Sequence, residues 1–184
     1  MLNQYGLELE FGSKIPDITL ARILDIDISA DSIYYIQDSV WNISEDFSAN
    51  DEENIGVEIR SPIFTIFPEE KLTELLSNLK DNECQVTPTS GLHFHFSGPA
   101  YVKLCYLDTN RLTCLANKLF NLAKPHKKRA HYCNPLGGFN TKRSALRQIA
   151  ESHWECRVFN SSFDIKEIRS CFSNLLEILD GVKV

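Results

Sequence analysis

The chain has 184 residues, 43% of them hydrophobic and 24% charged, with a formal net charge of −6 at pH 7. A chain of this length makes one domain that buries roughly 70% of its unfolded surface without a disulfide or zinc staple, and its composition excludes extended disorder and low-complexity sequence. The acidic balance argues against bulk attraction to nucleic acid or anionic membrane, and no run of about 18 apolar residues exists to span a bilayer.

The start, Met1 to Tyr5, has neither the basic residues nor the apolar stretch of a signal peptide. Cys84, Cys105, Cys114, Cys133, Cys156 and Cys171 are scattered without a C-x-x-C pair. Free thiols in a reducing cytoplasm are therefore expected.

In chain order, residues 6–11 alternate and predict a strand. Residues 17–24 carry apolar positions at helical spacing, with Asp17 as the expected N-cap after Pro16. Residues 33–43, rich in β-branched and aromatic side chains, are expected to be extended, and the acidic stretch 44–54 to be loop. A short strand over 56–60 ends at Ser61-Pro62, and an amphipathic helix over 69–79 follows Pro68. Residues 91–97 alternate again, 109–122 place leucines on one helical face, and Lys124 to Arg129 form a basic turn. Residues 137 and 138 are glycines in an expected loop, 143–149 fit helix and strand equally, and 153–159 predict a strand. A helix over 165–179 closes the chain, with Asp164 at its cap and Gly181 beyond its end. Helices and strands mix without strict βαβ alternation, so the expected class is α+β with a largely antiparallel sheet, in a single domain over 1–184.

Successive strand residues point to opposite faces, which sorts each predicted strand by parity. Leu7, Leu9 and Phe11 oppose Glu8 and Glu10. Val57 and Ile59 oppose Glu58 and Arg60. Leu92, Phe94 and Phe96 oppose His93, His95 and Ser97. Trp154, Cys156 and Val158 oppose Glu155 and Arg157. Alternation alone describes any half-exposed sheet. The identities say more, because the charged or imidazole positions on the polar face are only Glu, His and Arg, and never Lys. If the four strands share one sheet, Glu8, Glu10, Glu58 and Glu155 meet His93 and His95. Four nearby carboxylates cannot all ionise comfortably without a cation, and such a donor set suits Mg²⁺ or Mn²⁺ better than structural zinc.

The segments Gly6-Leu7-Glu8-Leu9-Glu10-Phe11, Gly56-Val57-Glu58-Ile59-Arg60-Ser61-Pro62, Gly91-Leu92-His93-Phe94-His95-Phe96-Ser97 and Trp154-Glu155-Cys156-Arg157-Val158-Phe159, in this order, resemble the amidoligase family. These are carboxylate–amine ligases of the glutamine-synthetase-like and glutamate–cysteine-ligase-like superfamily. Trp41-Asn42-Ile43 leading to Asp46-Phe47-Ser48, Arg129 with Tyr132-Cys133, and Ser144-Ala145-Leu146 look similar too. The resemblance implies a curved antiparallel sheet with helices packed on one face, a compact form of the glutamine synthetase-like catalytic fold. It implies ATP and two or three Mg²⁺ or Mn²⁺ ions as cofactors, with amide formation through an acyl phosphate.

Carried over, Glu8, Glu10, Glu58, His93 and Glu155 would be metal ligands, and His95 would lie beside the nucleotide or metal. Arg157 and Arg129 would neutralise phosphate charge, Arg60 would serve the substrate carboxylate, and Arg143 and Arg147 would be further contacts. Arg147 stands where relatives often carry a neutral residue, and the chain is shorter than typical members, which would favour a homo-oligomer that completes the site. Expected partners are small-molecule or peptide carboxylates and amines. Two other readings use the same residues: a cupin-like metal-dependent oxidoreductase or isomerase built on His93 and His95, and a non-catalytic amidoligase-like binding module.

Overall fold

The computed structural model describes residues 2–28, 40–126, 129–135, 141 and 143–182, without the side chain of Arg129. Seven strands form one sheet: β1 (Gln4–Ser13), β2 (Asp27–Ile28), β3 (Asn42–Glu45), β4 (Ile55–Arg60), β5 (Gly91–Ser97), β6 (Leu146–Ala150) and β7 (His153–Asn160). Their spatial order is β2-β3-β4-β1-β5-β7-β6, and every neighbouring pair is antiparallel except β2 with β3. Four α-helices complete an α+β fold: α1 (Asp17–Leu24), α2 (Glu69–Asp81), α3 (Thr109–Ala123) and α4 (Ile165–Asp180). The four strands singled out by parity, β4, β1, β5 and β7, are adjacent in the sheet. Among the described residues none of the helices is long and apolar enough to cross a membrane.

One sheet face carries Leu7, Leu9, Phe11, Leu92, Phe94 and Phe96, and the four helices bury their apolar stripes in the same cluster. A stripe repeating every three or four residues has nowhere else to go in water, which is why leucine-rich helices and apolar strand positions find one another. Phe172 of α4 lies within 5.2–5.8 Å, ring to ring, of Tyr5, Phe64, Phe67 and Phe94, tying the last helix to the first and fifth strands. The opposite face is left for the charged residues. None of the six cysteines forms a disulfide.

Several expectations need correction. Pro16, not Asp17, is the N-cap of α1; Asp17 is its first residue and accepts from the Ile18 N–H. Asp108 and Asp164 do cap, accepting from the N–H groups of Arg111 and Lys166. The stretch 44–54 is not all loop, since β3 runs to Glu45 and a 3₁₀ turn occupies Phe47–Ala49. In this turn the Asp46 side chain accepts from Ser48, so an acidic, polar sequence signals a side-chain-capped turn rather than absence of structure. Residues 33–39 and the glycines at 137 and 138 lie outside the described residues. The ambiguous 143–149 segment resolves as strand β6, because pairing with β7 outweighs local propensity.

Candidate metal centre

Sheet register assembles the site. Glu10 stands opposite Glu58, and Glu8 stands opposite Arg60 on one side and His93 on the other. Glu155 stands between His95 and Arg147. Two residues of β7, Arg157 and Val158, face the single His93 of β5, a bulge that breaks strict alternation. Phe159 is thereby returned to the core beside Phe94, with ring centroids 5.7 Å apart, while Glu155 and Arg157 stay on the polar face.

Contacts on this face are dense. His93 Nδ1 lies 3.0 Å from Glu8 Oε2 and 3.5 Å from Glu155 Oε1, and its Nε2 lies 3.1 Å from Glu10 Oε1. His95 Nε2 is 3.0 Å from Glu8 Oε1. Glu10 also accepts the Gly91 N–H at 2.6 Å. Arg60 pairs with Glu58, and Glu155 pairs with Arg157 and, at 3.3 Å, with Arg147. Far from a solvated surface, Glu10, Glu58, His93, His95 and Glu155 are all buried.

Two trios converge closely enough to hold an ion: Glu8, His93 and Glu155, and Glu10, Glu58 and His93. Within each trio one ligand atom per residue lies within 4.8 Å of the others, and His93 belongs to both. The Nε2 atoms of His93 and His95 are buried without a hydrogen bond, although carboxylate oxygens stand 3.0–3.1 Å away. Close approach without hydrogen-bond alignment suits ligands gathered around a cation better than a finished hydrogen-bond network.

Electrostatics agree. Burial and the Glu8 carboxylate push Glu58 well above the ordinary carboxylate range, against the pull of Arg60. Burial opposes ionisation of Glu8 as well, but His95 and His93 beside it hold its carboxyl well below that range. Glu155 is likewise buried, and Arg157 and His95 keep it low. Burial works against charge on His95, but Glu8 outweighs it and raises the imidazole. Charge on Glu58 is thus disfavoured, and a bound cation would offset that cost.

The face opens into a cavity of about 350 Å³. Its β3–β4 side carries Glu45, Asp46 and Glu58, and its β6–β7 side carries Arg143, Arg147 and Arg157. Of the residues assigned from sequence, Glu8, Glu10, Glu58, Arg60, His95, Glu155 and Arg157 line this cavity, and His93 lies beneath them in both trios. The Arg129 side chain lies outside the described residues, as do Lys127 and Lys128.

Sequence reasoning missed His153, whose Nε2 is 2.9 Å from His95 Nδ1. Burial and then His95 depress it to about 4. Its signal was present, since His153 shares parity with Glu155 at the start of the same strand. Tyr132, singled out only through the resemblance, and Glu45, which nothing in its spacing announces, also line the cavity. Comparison with known protein families and with curated proteins finds no match to this chain.

Proposed function

We propose that this chain is an ATP- and Mg²⁺-dependent carboxylate–amine ligase of the amidoligase kind, on a compact glutamine synthetase-like catalytic fold. The observation that carries the reading is the pair of carboxylate–imidazole trios sharing the buried His93. Carboxylates outnumber imidazoles in both, which suits Mg²⁺ or Mn²⁺. Glu8, Glu10, Glu58, His93 and Glu155 would hold two or three ions. Bound Mg²⁺ and ATP would supply charge neutralisation and the phosphoryl group that activates a carboxylate as an acyl phosphate.

The chain's own residues do the positioning. Arg157 and Arg147 hold Glu155 ionised and in place while presenting positive charge to the cavity. Arg143 extends that basic side, where an anionic substrate end or a phosphate would be oriented. Arg60 holds Glu58 from the other side. His153 Nε2 hydrogen-bonds with His95 Nδ1, which leaves His95 Nε2 beside Glu8. The net exchange forms one C–N bond and breaks the carboxyl C–O bond and the β–γ phosphoanhydride; the carboxylate oxygen leaves in the inorganic phosphate, alongside ADP and, from an ammonium substrate, one proton.

Among the described residues the sheet ends at β2 and β6 without the strand pairing that would close the barrel the cupin-like reading needs. The test is a screen of amino-acid and peptide pairs for Mg²⁺-dependent conversion of ATP to ADP, with mass detection of the condensed product. Condensation with loss of one water supports the ligase. Tightly bound iron with no ATP-induced thermal shift in Mg²⁺ contradicts it, and nucleotide binding without turnover of any pair points to the binding module.

A further inference from the structure

A second groove opens off the metal cavity. It measures about 800 Å³, more than twice the cavity's size, and Tyr132 and Arg143 line both. The 3₁₀ turn Arg129–Tyr132 supplies Ala130 and His131 to it, and Thr89, Asn134 and Thr141 complete its lining. Backbone bonds fix the spacing of its walls. The Asn134 N–H donates to the Arg143 carbonyl at 2.8 Å, the Ala145 N–H donates to the Asn134 carbonyl at 3.1 Å, and Thr141 Oγ1 lies 3.0 Å from Ser144 Oγ.

The groove's chemistry differs from the cavity's. Six carboxylates line the metal cavity, whereas among the described residues none lines the groove. In their place stand hydroxyls, an amide, a phenol, an imidazole and one guanidinium. Arg60 is paired with Glu58, and Arg147 and Arg157 with Glu155, which leaves Arg143 as the cavity arginine with no carboxylate partner among the described residues. A guanidinium in that state selects a carboxylate, which it grips with two parallel N–H donors. Beyond it, side chains that donate and accept without carrying negative charge suit a run of amides, since each amide offers one N–H and one C=O. The size admits a ligand larger than a single amino acid. A nucleoside is the poorer occupant, because it carries no charge to pair with Arg143.

We propose that this groove is a subsite for a peptide chain, and that the ligase takes its carboxylate substrate as an oligopeptide whose C-terminal carboxylate reaches Arg143 at the mouth of the metal cavity. The peptide's role as substrate rests on the ligase reading; the binding itself does not.

The test is titration of the ¹⁵N-labelled full chain, in saturating Mg²⁺, with N-acetyl-trialanine, with its C-terminal amide and with adenosine. The expected result is saturable shifts at the amides of residues 130–134, 141 and 143 with the tripeptide acid, about tenfold weaker binding of the amide, and no such shifts with adenosine. Arg143→Gln should bring the acid down to the affinity of its amide, a loss of about tenfold. Ala130→Leu, which adds bulk at a residue that lines the groove and not the metal cavity, should weaken both peptides about fivefold or more. Arg143 is exposed and Ala130 half-buried, so both variants keep the fold. Equal affinity for acid and amide in the parent, no saturation by about 10 mM, shifts confined to other residues, adenosine binding in place of the peptides, or unchanged affinity in both variants would overturn the subsite. Mg²⁺-ATP titrated into the same samples separates the two ideas. Peptide binding without nucleotide binding removes the ligase reading alone, and the reverse removes the subsite alone.

Discussion

Glu58 bears the electrostatic strain of the site, because it is buried beside Glu8 and Glu10 with Arg60 as its charged partner. Glu58→Gln keeps the shape and removes the repelled charge. In EDTA at pH 8 the variant should melt about 3 °C above the parent, since about 1 kcal/mol shifts a chain of this size by roughly 2–4 °C. The same variant should lose most of the Mg²⁺-induced thermal shift, and a lower melting temperature with an intact Mg²⁺ response would contradict this account. The pH dependence has a definite sign. Glu58 and His95 have raised values in the folded state, so their contributions are full at low pH and are lost as pH rises through those values. Glu8 and Glu155 have lowered values, so theirs are present above the ordinary carboxylate range and are lost as pH falls through the lowered values. Melting curves across pH without metal should decline on both sides, with Mg²⁺ restoring the alkaline side and Glu58→Gln making that side shallower. Arg157→Ala should cost about 3 kcal/mol or more, because it strips a buried carboxylate of its closest partner. Denaturant unfolding would measure it, and a loss below about 1 kcal/mol would show that Arg147 alone suffices.

The elements that carry the site are short and tightly registered. A Cβ added at Gly56 would lie 2.0 Å from the Asp46 carbonyl oxygen, 2.6 Å from the Asn50 nitrogen and 2.7 Å from the Ala49 carbonyl carbon, all backbone atoms. Gly56→Ala must therefore displace the turn that carries Asp46 and Ser48. We expect it to cost about 2 kcal/mol or more and to alter the amides of residues 46–50 in a ¹H–¹⁵N spectrum, whereas an unchanged spectrum would contradict the close packing. Four strands of the site were legible as alternation, since Glu8, Glu10, Glu58, His93, His95, Glu155 and Arg157 each fall where parity puts them. The β7 bulge was not legible, because it arises from pairing with β5 and leaves no local mark beyond the buried Val158-Phe159 doublet. Nor was β6, whose residues are extended by a neighbour rather than by their own preference.

Across the whole molecule, one sheet separates two chemistries, with an apolar face under four helices and a polar face of glutamate, histidine and arginine. Composition could state the net charge of −6 but not its distribution. The sheet gathers acids toward β3 and β4 and arginines toward β6 and β7, and that asymmetry exists only after folding. The same reason hid Glu45, whose place in the cavity comes from neighbours distant in sequence. The central claim is that buried carboxylates on this face bind a metal–nucleotide complex. Calorimetric titration of ATP into the parent chain and into Glu10→Ala, each with and without Mg²⁺, tests it most directly. The account predicts saturable binding by the parent only with Mg²⁺, and at least about a hundredfold weakening in the folded variant, as loss of a charged metal contact requires. Equal ATP affinity in parent and variant, or binding indifferent to Mg²⁺, would contradict it.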